Sequence, residues 1–181
     1  MYSKKIVAGS RFPVLNTILE NLSQEELGKP GGSFDWKMIV AYRGKHCPLC
    51  TKYLNELQEF KQRLEKIGID LIAVSADSKE QLEDHKKQLI VNFKLAYGLT
   101  IEQMQQLGLY LSYPRSEQET DHVFSEPGLF IVNNEGNIQV VDISNNPFVR
   151  PELESLVRGL EWIREPSNQY PARGTYYYEG D

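Results

Sequence analysis

Between Trp36 and Ser75 the hydrophobic period changes twice, which restricts the chain to a small set of folds. Trp36-Lys37-Met38-Ile39-Val40-Ala41-Tyr42 is dense in apolar and β-favouring residues and short enough for an interior strand. Beyond Pro48 the apolar positions Leu54, Leu57, Leu64 and Ile67, with Phe60 or Lys61 between, recur at three and four until Gly68 closes a helix. Ile69-Asp70-Leu71-Ile72-Ala73-Val74-Ser75 then reads as a second buried strand. Strand, helix and strand in this order predict a right-handed unit with parallel strands.

The only two cysteines, Cys47 and Cys50, stand where the first strand gives way to the helix. Positions i and i+3 at a helix start share a face, with Cα atoms about 5–6 Å apart, so a disulfide can close without moving the backbone. Cys47 falls at or before the first turn, where unpaired N–H groups and the helix dipole favour a thiolate. Arg43, Lys45 and a protonated His46 would add positive charge, and a lowered thiol pKa follows. Two other readings compete. The pair could be half of a zinc site with two of His46, His85 and His122, although those histidines are scattered and no second knuckle is present. The cysteines could also be inert packing residues. Strand alternation assigns Trp36 and Tyr42 to the core rather than to the site.

The rest of the chain reads as scaffold. Ser23 with Glu26 three residues on has a capping-box pattern for one short helical turn, and Lys29-Pro30-Gly31-Gly32 is a loop. A polar helix capped by Ser78 or Asp77 is predicted to reach about Ile90, residues 93–98 are extended, and 101–109 return to helical spacing. Residues 112–125 form a polar loop near the active face. Glu126-Pro127 leads into an apolar strand, and Asn133-Asn134-Glu135-Gly136-Asn137 turns it into a hairpin. A last amphipathic helix begins at about Pro151. Residues 1–164 are expected to form one domain, and the tail 165–181, with four tyrosines, is expected to pack against it or a twin subunit.

A net charge of −5 without a long basic run argues against nucleic acid or an anionic membrane as partner. The N-terminus lacks the apolar core of a signal peptide and no segment could span a bilayer, so a cytoplasmic location is expected. In a reducing cytosol a lone C-x-x-C is read as a cycling dithiol rather than a permanent staple.

This order of elements resembles the thioredoxin fold, an α/β fold with a central mixed sheet flanked by helices. The finer resemblance is to the peroxiredoxins of the AhpC/TSA family. Ala41 through Thr51 resembles that family's segment around the peroxidatic cysteine, with Cys50 in the peroxidatic position, Cys47 where the family has threonine, and Arg43 where it has proline. Phe130, Ile131, Val132, Asn133 and Gly136 match its later strand and turn. Residues 42–50 also resemble a peroxiredoxin-like subgroup with the pattern Tyr-Arg-Gly-x-x-Cys-Pro-x-Cys. The family usually places a peroxide-binding arginine just before the later strand, where this chain has Glu126-Pro127, so Arg43 becomes the candidate replacement. Pro127 resembles the cis-proline that faces the C-x-x-C in thioredoxins. The resemblance spans roughly residues 10–163.

It implies a thiol-dependent antioxidant enzyme that reduces peroxides or disulfides, with no cofactor and with a thioredoxin-like or glutathione-like thiol as reductant. A homodimer is the family's habit. In a thioredoxin-like order Cys47 attacks and Cys50 resolves; in a peroxiredoxin-like order Cys50 is oxidised first and Cys47 condenses with it. The rival from another class is a non-enzymatic redox-sensing or binding module.

Overall fold

In the computed structural model, which describes residues 4–176, a mixed sheet lies between two layers of helix and loop. The chain runs through β1 (Asn16–Leu19), β2 (Gln24–Glu26), β3 (Trp36–Ala41), α1 (Pro48–Lys66), β4 (Ile69–Val74), α2 (Lys79–His85) and β5 (Lys94–Tyr97). It continues through α3 (Ile101–Gln106), β6 (Leu111–Ser112), β7 (Phe124–Ser125), β8 (Gly128–Val132), β9 (Ile138–Ile143) and α4 (Leu153–Arg164). Among the described residues the main sheet has seven strands in the order β2-β1-β5-β4-β3-β8-β9. β3 and β4 pair in parallel over their full length, as the strand–helix–strand reading requires, and β8 and β9 form the expected antiparallel hairpin.

β3 is buried on both faces, which its near-continuous apolar run dictates. Trp36, Met38, Val40 and Tyr42 face Leu54, Leu57 and Leu64 of α1 and Leu153, Val157 and Leu160 of α4; Cys47 and Cys50 belong to this layer. Ile39 and Ala41 face the opposite layer, with Phe12, Leu27, Met104, Leu107 and Phe130. Each fully buried leucine contributes about 1.5–3 kcal/mol, so this double packing holds the end of β3, and the cysteines after it, in one place.

One charged side chain breaks the apolar pattern. Lys37 is fully buried, and its Nζ donates to Glu25 and, at 2.7 Å, to Asp70 Oδ2. Lys94 reaches the same two carboxylates at 2.7 and 3.2 Å, and the Gly31 N–H donates to Asp70 at 2.9 Å. Burial alone would raise the Asp70 carboxyl, but the Lys37 hydrogen bond and charge outweigh it and hold it below its ordinary value. Lys37→Ala leaves Glu25 and Asp70 with the half-buried Lys94 and, for Asp70, the Gly31 N–H. It is expected to cost about 3–5 kcal/mol in urea-unfolding free energy, and a loss of under about 1 kcal/mol would contradict the assignment.

Two local expectations are overturned. The capping-box pattern at Ser23 does not nucleate a helical turn: residues 24–26 are strand β2, paired with β1, because Glu25 is drawn onto Lys37 and Lys94. The polar helix after Ser78 ends at His85, and a 3-10 turn covers residues 86–88. Beyond it the backbone is taken over by amides of α1. Asn55 bonds Gln88 O and the Ile90 N–H, and the Gln58 side chain accepts from the Asn92 N–H at 2.7 Å. In the tail, Tyr170 packs on Trp162 of α4 with ring centroids 5.1 Å apart; Tyr177 and Tyr178 lie outside the described residues. No helix among the described residues is long and apolar enough to cross a membrane.

Candidate active site

β3 delivers the chain to a short loop whose shape is fixed before the first cysteine. Gly44 has φ +128°, and a Cβ there would lie 2.4 Å from Asp77 Oδ1, so only glycine fits. Asp77 Oδ2 accepts the Lys45 N–H at 2.8 Å and ties this loop to the end of β4. Cys47 then caps α1, with Pro48 following as the first helical residue, where its missing N–H costs nothing. The Cys50 N–H donates to Cys47 Sγ at 3.3 Å. This places Cys47 at the helix N-terminus and Cys50 one turn in, as the spacing predicts.

A residue the sequence did not single out stands behind the pair. Arg150, between β9 and α4, donates from Nη2 to Cys50 Sγ at 2.9 Å, and its guanidinium lies 4.8 Å from the centre of the Tyr53 ring. The Cys47 thiol is lowered to about 6, first by the hydrogen bond from the Cys50 thiol. The Cys50 N–H and the charges of Arg43 and Arg150 add to this, against an opposing burial. Burial pushes Cys50 well up, and its bond to Cys47 adds to that, while Arg150 partly offsets both. The arrangement is directional: Arg150 donates to Cys50, Cys50 donates to Cys47, and Cys47 carries the charge. Both directions favour ionisation at the cap position over the position one turn in.

The other sequence candidates surround this core. Arg43 is not directed at a sulfur: its guanidinium pairs with Glu119 at 3.5 Å and Glu126 at 3.4 Å and lies over the Phe124 ring at 4.7 Å. The expected positive charge on His46 is absent. Burial first, and then the Arg43 charge, lower it to about 4, and its ring packs on Phe124 at 4.5 Å. Pro127 sits beside Ala41, Tyr53 and Arg150, around a cavity of about 10 Å³. The expected cis geometry is not adopted: its peptide bond is trans, and the chain passes extended into β8, with the Glu126 N–H on Tyr110 O and the Ser144 N–H on Pro127 O. His85 bonds Thr51 at 2.8 Å, and His122 bonds Asp121, so neither is directed at the cysteines.

Both sulfurs are enclosed, Cys47 at 2% and Cys50 at 0% exposure. An open groove of about 610 Å³, lined by Leu49, Tyr53, Phe60, Phe148 and Arg150 among others, runs along the outside of α1 up to that arginine.

A cysteine capping a helix, a second cysteine one turn on and an arginine behind it stand together on a mixed sheet between helices, the arrangement of a thioredoxin fold. The family comparison narrows the class. The AhpC/TSA family model matches residues 11–141, and the chain belongs to that family. It is accordingly an enzyme of the thiol peroxidase or thiol–disulfide oxidoreductase kind. No curated protein matches. Among solved structures it is similar to a peroxiredoxin-like protein from Aquifex aeolicus, at 17% identity and TM-score 0.71 over 87% of this chain and 88% of that one. A cysteine-to-serine mutant of the peroxiredoxin 6 of Arenicola marina gives 19% identity and TM-score 0.71 over 97% and 81%. Mycobacterium tuberculosis AhpC gives 15% and 0.69 over 90% and 95%. At these identities the likeness speaks for the fold.

Proposed function

We propose that the protein is a thiol-dependent peroxidase for small hydroperoxides, in which Cys47 attacks and Cys50 resolves. The observation that carries this reading is the relay from Arg150 through Cys50 to a Cys47 thiolate, inside a site that leaves Cys47 2% exposed. A thiolate is the nucleophile toward oxygen as toward sulfur, and a slim terminal peroxide is better suited to an enclosed sulfur than a protein disulfide is. The Cys47 thiolate displaces the terminal oxygen of R–O–O–H, forming S–OH and releasing R–O⁻, which takes a proton from solvent to give R–OH. Cys50 then attacks the Cys47 sulfur, its thiol proton leaves with the hydroxyl as water, and the Cys47–Cys50 disulfide forms. An external thiol of the thioredoxin-like or glutathione-like kind restores the dithiol, for which a reducing cytosol is the fitting setting.

The test is turnover with dithiothreitol as reductant. Hydrogen peroxide is expected to be consumed at least about a hundredfold faster than a protein disulfide such as insulin is reduced, a gap of ~2.7 kcal/mol. Equal rates, or the reverse order, would replace the peroxidase reading with a disulfide reductase. Absence of both activities would contradict the proposal outright.

A further inference from the structure

Residues 113–123 join β6 to β7 without helix or strand of their own, yet they are tied down at several points around the loop that carries Cys47. Glu119 is the centre of these ties. One of its carboxylate oxygens faces Arg43 Nη2 at 3.5 Å and Arg115 Nη2 at 3.0 Å, while the other accepts the Arg115 N–H at 2.7 Å. Its side chain is only 7% exposed. Further along, Asp121 accepts from Gln81 of α2 at 3.0 Å, and His122 Nε2 lies 3.8 Å from Asp77 Oδ1. At the end of the segment Phe124 packs on His46, the residue before Cys47, and Glu126 holds the other side of Arg43. The segment therefore grips Arg43, His46 and Asp77, three residues that shape or flank the cysteine loop. It carries no group that bonds either sulfur.

A strap anchored this way stands beside the residue before Cys47 and bonds neither sulfur. Displacement at a disulfide requires the attacking sulfur to line up with the S–S bond, so the chain on each side of a protein disulfide must clear the strap. A hydroperoxide presents a terminal O–O–H and needs no such clearance.

We propose that residues 113–125 are a size filter over Cys47, latched by Glu119 on Arg43, and that this latch excludes bulky disulfides while admitting hydroperoxides. With the latch released, Cys47 attacks one sulfur of R–S–S–R′, R′–S⁻ leaves, and Cys50 displaces R–S⁻ as the internal disulfide closes; two thiols are oxidised and one disulfide is reduced. The inference rests on the peroxidase reading for its biological meaning, but its test reads only thiol access.

The reduced full-length protein is alkylated at pH 7 with iodoacetamide or with a maleimide carrying a long polyethylene glycol chain. Modification of Cys47 is followed by fragment masses of the tryptic peptide 46–52. Glu119→Gln is expected to raise the bulky-to-small rate ratio about tenfold, corresponding to ~1.4 kcal/mol. Asp121→Asn, which loosens the second anchor and leaves Glu119 in place, is expected to raise it by a smaller factor. A ratio unchanged in both variants would overturn the filter, whatever the peroxidase assay gives. Absent peroxide turnover with a raised ratio would leave the filter standing and remove the peroxidase reading instead.

Discussion

Cys47→Ser is expected to lower peroxide turnover by about 10³-fold or more, because it removes the one sulfur that is ionised at neutral pH. Serine at the cap can still accept the Cys50 N–H, so the helix start keeps its hydrogen bond and the loss is chemical rather than structural. Cys50→Ser acts differently. It leaves a sulfur at position 47 with a hydroxyl in place of the neighbouring thiol donor, and it removes the resolving group. One oxidation per molecule should survive, and multiple turnover should depend on the external thiol alone. Steady-state and single-turnover peroxide consumption, measured side by side, separate the two patterns. Equal losses in both formats for both variants would contradict the division of roles.

Arg150→Met is the second large effect. The substitution removes the N–H donor to Cys50 Sγ and a positive charge that acts on both sulfurs, while its thioether chain still covers Tyr53. The wild-type Cys47 alkylation rate should rise with pH around a midpoint near 6. In the variant the midpoint moves up toward the ordinary thiol value, so the thiolate fraction at pH 7 falls and the rate falls with it. Peroxide turnover at pH 7 should drop by about 10²-fold, the usual cost of one lost charge-stabilising donor. Above the ordinary thiol pKa the ionisation part of the loss is restored. An unshifted midpoint with turnover within about twofold of wild type would show that Arg150 is packing only.

What was legible in the sequence was what short-range pattern determines. The period change across residues 36–75 defines a parallel strand–helix–strand unit, and the spacing of Cys47 and Cys50 defines a dithiol at a helix start; both are fixed within one or two turns of chain. Arg150 was not legible because it meets Cys50 across 100 residues, and nothing in Phe148-Val149-Arg150-Pro151 marks it as different from a surface arginine. His46 is lowered by its burial and by Arg43, and it packs on Phe124; Arg43 is held by Glu119 and Glu126, and all three partners arrive from residues 119–126, the nearest of these ties spanning 76 positions. At Ser23 a valid local signal lost to a distant one, since a single helical turn cannot compete with the buried Lys37 and the half-buried Lys94 for Glu25. Local rules thus placed the two cysteines, and long-range contacts placed the arginine beside them.

The central claim is that Cys47 is the sulfur oxidised first, and trapping the first oxidation product tests it most directly. Each single serine variant is exposed to one equivalent of hydrogen peroxide with a dimedone-type trap, and the intact mass is read. A sulfenic acid adduct on Cys47 in Cys50→Ser, with none on Cys50 in Cys47→Ser, is the predicted result; an adduct on Cys50 alone would contradict it and reverse the order of attack.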